Sequence, residues 1–138
     1  MKVNFGIMLK PPNEETITAW ARLHRTHRQL LEQVEADLKR QGLPPLAWYD
    51  VLLEVQRAPN KTIRQFELGD KVLLSKHNLS RLLDRLEKQK LLRRELCQED
   101  GRHNTIKLTA AGLAMLKRIW PVYGESIQTH FAARLSKN

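Results

Sequence analysis

The residues best placed to do chemistry stand in one run, Ser75 to Gln89. Projected at about 100° per residue, its leucines Leu79, Leu82, Leu83 and Leu86 share one face. His77, Arg81, Asp84 and Lys88 project directly away from that face, and Lys76, Asn78, Ser80 and Arg85 flank them. Ser75 is an N-cap candidate for the helix. The outward set mixes donors and acceptors suited to base edges. An arginine fork matches guanine and an asparagine amide matches adenine. Lysine, serine and the helix N-terminus suit phosphates. A solvated basic face is the plainer reading of the same pattern, so the surrounding elements must decide between the two.

Those elements read in order as four helices, a hairpin and a helix. Asn13 caps the first helix, with Glu14 and Glu15 at its positive end. Its stripe is Ile17, Trp20, Leu23, His24, His27, Leu30, Leu31, Val34 and Leu38, and Gly42 with Pro44-Pro45 ends it. A second helix carries Leu46, Val51, Leu52, Leu53 and Val55 and stops at Ala58-Pro59-Asn60. Thr62 is expected to cap a short third helix with Ile63, Phe66 and Leu68, and Lys71 to Leu74 link it to the fourth. Strands over Leu91 to Gln98 and His103 to Leu108 flank the turn signal Asp100-Gly101. Thr109 caps a last helical region running through Leu113, Leu116, Ile119, Trp120, Tyr123, Ile127, Phe131 and Leu135, which Pro121 is expected to kink or split.

The expected fold is therefore mainly α with a small β-hairpin wing. Residues 44–108 form a winged helix-turn-helix lobe, and terminal helices over 13–42 and 109–136 flank it in one domain. The terminal stripes must bury somewhere. Pairing with a second copy is the simplest solution, and a homodimer places two reading helices on one symmetric duplex.

Composition narrows the function classes. Lys and Arg number 24 against 15 Asp and Glu, a net charge of +9, which favours a polyanion such as nucleic acid or an anionic membrane. No stretch approaches the ~20 apolar residues of a membrane span, and the first ten residues lack a signal-peptide core. The single cysteine, Cys97, excludes an internal disulfide. A cytoplasmic protein with no membrane partner is expected. There is no Gly-rich phosphate loop, Ser/His/Asp signature or metal-ligand spacing. An enzyme is not expected, and neither is a cofactor or a metal.

The run Leu74-Ser75-Lys76-His77-Asn78-Leu79-Ser80-Arg81-Leu82-Leu83-Asp84-Arg85-Leu86-Glu87 resembles the recognition helix of the MarR family of bacterial regulators. Leu91-Leu92-Arg93-Arg94, the wing signature Glu99-Asp100-Gly101-Arg102 and Leu108-Thr109-Ala110-Ala111-Gly112 follow in family order and spacing. The resemblance covers roughly residues 43–123. It implies a triangular homodimer on short palindromes of double-stranded DNA, usually a repressor. The outward face of the run supplies Ser75, Lys76, His77, Asn78, Ser80, Arg81 and Arg85 as DNA contacts, and the resemblance adds Arg102 from the wing, with Asp84 and Asp100 orienting it. Asp84 needs a cation on a phosphate-facing surface. Arg81 and Lys88 are its neighbours on the helix, and the resemblance suggests Arg102. Lys90 departs from the family, which usually has Gly there, so a differently shaped helix end is expected.

A small-molecule effector is the remaining partner class, with His24, His27 and Trp48 as its candidate residues. For the two histidines the favoured reading is partly buried packing, because no cysteine or carboxylate cluster completes a ligand set. Trp20, Trp48, Tyr49, Trp120 and Tyr123 read as packing ahead of an aromatic pocket. The carboxylates near Cys97 argue against a redox sensor. The competing function is a winged module for protein contact or RNA, in which the basic outward face of Ser75 to Gln89 has no role in a duplex.

Overall fold

The computed structural model describes residues 10–96 and 104–135. Helix α1 spans Glu14–Arg40, and the Asn13 side chain accepts the Thr16 N–H at 2.8 Å. The helix closes on Gly42 at φ +69°, where the Leu43 N–H reaches the Leu38 carbonyl at 2.9 Å and the Gly42 N–H reaches Lys39 at 3.0 Å. This paired closure satisfies carbonyls that a helix end otherwise leaves open. Helix α2, Leu46–Arg57, follows Pro45, which has no capping side chain. Glu35 of α1 supplies the cap, its carboxylate accepting the Leu46 N–H at 2.9 Å.

The next segment differs from the sequence expectation. Thr62 caps no helix: Thr62–Arg64 form a strand, β1, and α3 begins afterwards at Gln65–Lys71. Ile63 is buried opposite Ile106 in the sheet, a position that suits its branched side chain. Helix α4 runs Lys76–Lys88, and the Ser75 hydroxyl accepts the Asn78 N–H at 3.2 Å as its cap. The hairpin strands are β2, Leu92–Leu96, and β3, Asn104–Leu108. The sheet is three-stranded and antiparallel in the order β1-β3-β2, one strand more than the hairpin expected.

Helix α5 spans Ala110–His130 and runs through Pro121 as one helix, so of the expected kink or split the split does not occur. Pro121 lacks the N–H that would return to the Lys117 carbonyl. Both residues are exposed, so water can satisfy that carbonyl. A short 3-10 turn, Ala132–Arg134, follows. The core is drawn from every layer of the lobe: Leu52 and Val55 of α2, Leu68 of α3, Leu83 and Leu86 of α4, Leu92 and Ile106 of the sheet and Ile119 of α5 are fully buried.

Two closures around the lobe are tight. At the end of α4, Lys90 takes φ +61° and repeats the geometry of Gly42: its N–H reaches Glu87 at 2.9 Å and the Leu91 N–H reaches Leu86 at 3.0 Å. The helix end is therefore shaped as a glycine would shape it, against expectation. The Lys90 carbonyl accepts the Thr109 hydroxyl at 2.7 Å, a tie on a residue that carries left-handed strain. At the start of α5, the Thr109 hydroxyl accepts the Gly112 N–H at 3.0 Å and donates to the Lys90 carbonyl at 2.7 Å. A Cβ on Gly112 would overlap the Leu91 carbonyl oxygen and press on Leu108.

These closures give two outcomes measurable by chemical denaturation. Lys90→Gly should gain about 1 kcal/mol, the strain of one left-handed non-glycine residue. Gly112→Ala should lose about 1–3 kcal/mol, because the neighbour it meets is backbone and cannot rotate aside. Unchanged midpoints in both variants would show that neither closure is as tight as drawn.

Candidate nucleic-acid interface

The leucine stripe decides which way α4 faces. Leu79, Leu82, Leu83 and Leu86 are all buried, and an amphipathic helix fixed by one face must present the other to solvent. Lys76, His77, Asn78, Arg81, Asp84, Arg85 and Lys88 are exposed, while Ser80 is half-buried on the flank. The expected reading set on α4 is thus brought onto one surface. Ser75 accepts as the cap, which leaves its hydroxyl hydrogen for an anion. The first N–H groups of α4 have no helical acceptor, so the same end suits a phosphate.

Arg102, Asp100 and Cys97 lie outside the described residues. The strands on either side are described, and they show what the sequence reading missed. Asp84 pairs with Arg94 of β2, whose Nη2 stands 2.6 Å from Asp84 Oδ1. The same guanidinium donates to Glu87 Oε1 from Nη2 at 3.0 Å and from Nε at 3.3 Å, and the Arg94 N–H donates to Glu87 Oε2 at 2.9 Å. Hydrogen bonds from the Arg94 side chain and then its backbone hold the Glu87 carboxyl below the usual range. Asp84 and Arg94 are ten residues apart on different elements. No helical spacing links them, although Asp84 as an acid among cations was a visible sign that a partner was needed. On β2 and β3, Lys107 pairs with Glu95 at 3.2 Å, and Arg93 is exposed.

The candidate effector residues are not brought together. His24 and His27 are exposed on the N-terminal half of α1, not partly buried as expected. Among the described residues, every position of α1 from Glu14 to Gln29 is exposed. His24 sets its ring edge-on to Trp20 at 4.4 Å. His27 lines a groove of about 250 Å³ with Leu30, Leu31 and Tyr123. Trp48 is half-buried against the core from α2. Three of the five aromatics do cluster: Tyr49 stacks on Trp120 at 6.4 Å and meets Tyr123 edge-on at 5.2 Å. They wall a cavity of about 620 Å³ between α2 and α5, with Asp50, Arg57 and Lys117 also lining it. Burial pushes the phenols of Tyr49 and Tyr123 above the usual tyrosine range, so both are neutral donors near pH 7. No helix of the described residues is long and apolar enough to cross a membrane.

A family model described as the MarR family matches residues 41–103. An uncharacterized HTH-type transcriptional regulator from Bacillus cereus is 36% identical over 102 residues, which are 74% of this chain and 65% of that protein. The chain thus spans just under two thirds of that relative's length. The transcriptional regulator HosA of Escherichia coli O127:H6 is 33% identical over 111 residues, 79% of each protein. Among solved structures, a MarR family transcriptional regulator from Streptomyces coelicolor in complex with DNA superposes with a TM-score of 0.83 at 25% identity, covering 93% of this chain and 80% of that one.

Ser75 carries a cap and a candidate contact in one side chain, and two substitutions separate them. Ser75→Ala should cost about 1 kcal/mol of stability through the lost cap. Ser75→Asp should keep the cap and the stability while weakening duplex binding by roughly tenfold, because it sets a carboxylate against phosphate. Equal duplex affinity for Ser75→Asp and wild type would remove this residue from the interface.

Proposed function

The chain belongs to the MarR family of transcriptional regulators, and from that premise we propose that it binds a palindromic double-stranded DNA operator as a homodimer and represses transcription there. The observation that carries this reading is the exposed face of α4. Five cationic or amide side chains, Lys76, Asn78, Arg81, Arg85 and Lys88, stand on a helix locked by its leucines. A helix so presented fits the major groove, where arginine and asparagine discriminate bases. The net charge of +9 supports phosphate attraction at longer range. In this reading Ser75, Lys76, His77, Asn78, Ser80, Arg81 and Arg85 contact the operator from α4, and Arg102 contacts it from the wing that Asp84 and Asp100 orient.

The terminal helices support the dimer. Helix α1 is about 40 Å long at ~1.5 Å per residue, yet only Val34 and Leu38 are buried on it. Trp20 and Leu23 are each 64% exposed, and Phe131 and Leu135 are exposed near the other end of the chain. Apolar stripes of this kind on a soluble helix mark a protein interface. A second copy offers the matching stripe and sets two α4 helices about one duplex turn apart. A dimer lying across an operator excludes other proteins from it, which is how it represses. The aromatic cavity between α2 and α5 is the place in the fold for a small-molecule effector: it adjoins α5, a dimerisation helix, and α2, part of the reading lobe. A ligand there favours one lobe spacing over another and so relieves repression.

Selection of the purified chain against a random duplex library at about 150 mM salt, where generic phosphate binding is weak, should recover a palindrome. In sedimentation the chain should run at twice its mass, and Trp20→Glu with Leu23→Glu should run at the single-chain mass and lose the palindrome. A wild-type chain that sediments singly, or that enriches no duplex, would overturn the corresponding half of the proposal.

A further inference from the structure

Arg94 stands on β2, with its side chain only 20% exposed between the hairpin and α4. Beyond it the described residues of β2, Glu95 and Leu96, are exposed, and then the chain enters segment 97–103. On the far side of that segment, Asn104 opens β3, and its side-chain amide donates to Gln65 Oε1 of α3 at 3.3 Å. Each strand at the base of the wing is therefore tied by a side chain to one helix of the helix-turn-helix pair: β2 to α4, and β3 to α3. Backbone pairing holds the two strands to each other, and Leu92 and Ile106 root them in the core. To these the fork of Arg94 adds a polar tie between the hairpin and α4: it spans two carboxylates one turn apart on α4, and the Arg94 backbone N–H adds a bond to the second.

We propose that Arg94 is a positioning residue for DNA reading: through Glu87 and Asp84 it fixes the wing to the recognition helix, so that the groove read by α4 and the flanking bases reached by the wing are read in one register. This rests on the DNA reading above and adds to it the residue that couples its two contact elements. Arg94 itself faces carboxylates and not the duplex. Its loss therefore acts through the angle of the hairpin, and the bases facing α4 keep their preference.

The test is the base-preference profile of the full chain, selected on random duplexes at fixed salt, together with thermal unfolding. Arg94→Gln should lower affinity for the preferred site roughly tenfold, with discrimination lost at the flanking positions and kept at the positions facing α4. Glu87→Gln should move the profile in the same direction. Arg94→Lys should fall between Arg94→Gln and wild type, because one ammonium holds a carboxylate but cannot fork across two. An Arg94→Gln variant with the wild-type profile and affinity overturns the proposal. So does a uniform loss at every position that follows a lowered melting temperature, since that is general destabilisation. Should Arg94→Gln fail to unfold cooperatively, Asp84→Asn, which leaves all three Glu87 bonds in place, is read by the same criteria. A wild-type chain that enriches no duplex overturns the DNA reading itself, an outcome seen before any variant is compared.

Discussion

Four leucines on one side of α4 hold the rest of the structure in place. They pack against α2, α3, the sheet and α5 in a single core, and a close-packed interior leaves a helix little freedom to roll. Once that face is committed, every residue on the other side of α4 has a fixed bearing. A basic outward face on a helix of this kind is a surface aimed at a polyanion, and the amphipathic pattern alone explains why the aim does not drift. The same commitment forces Asp84 and Glu87 outward toward β2, where a buried-side arginine meets them.

The polar ties that finish the lobe work between elements that are distant in sequence. Glu35 of α1 caps α2 in place of the residue before it, and Thr109 closes α5 onto the end of α4 through the Lys90 carbonyl. Asp37 of α1 accepts from the buried Ser126 hydroxyl at 2.7 Å and lies 2.9 Å from His130 Nε2, while Arg40 holds its other oxygen. The hydrogen bonds from Ser126 and His130 keep the Asp37 carboxyl below the usual range. A depressed folded pKa contributes stability that is complete above the unfolded value of about 3.9 and is lost as pH falls through the folded one. These three groups join the C-terminal halves of α1 and α5.

The terminal helices and the lobe accordingly differ in what stabilises them. The lobe closes a core of buried side chains. The outer half of α1 buries almost nothing, and a helix without packing gains little from propensity. Its apolar stripe is exposed, and His24 and Trp20 lie on it in edge-on contact.

Periodicity and capping were enough to read α1, α2, α4 and α5. Asn13, Ser75 and Thr109 cap where the sequence placed them, because a cap is a contact over three residues and is written locally. The buried face of α4 was legible for the same reason: the 3.6-residue repeat links chain position to direction without reference to anything distant. The outward reading set followed from it. What the sequence could not yield were contacts whose geometry exists only after the elements pack. Thr62 looked like a cap until pairing of Ile63 with Ile106 made its segment a strand. Lys90 looked like a departure until the neighbouring closures held it in glycine's conformation. Pro121 looked like a break, yet its missing hydrogen bond falls on the solvent side of α5. Arg94 was one arginine among many until the fold brought it to Asp84 and Glu87. Local chemistry fixes which way each helix faces, but an ion pair between two elements depends on the angle at which they cross, and that angle is set by the whole core.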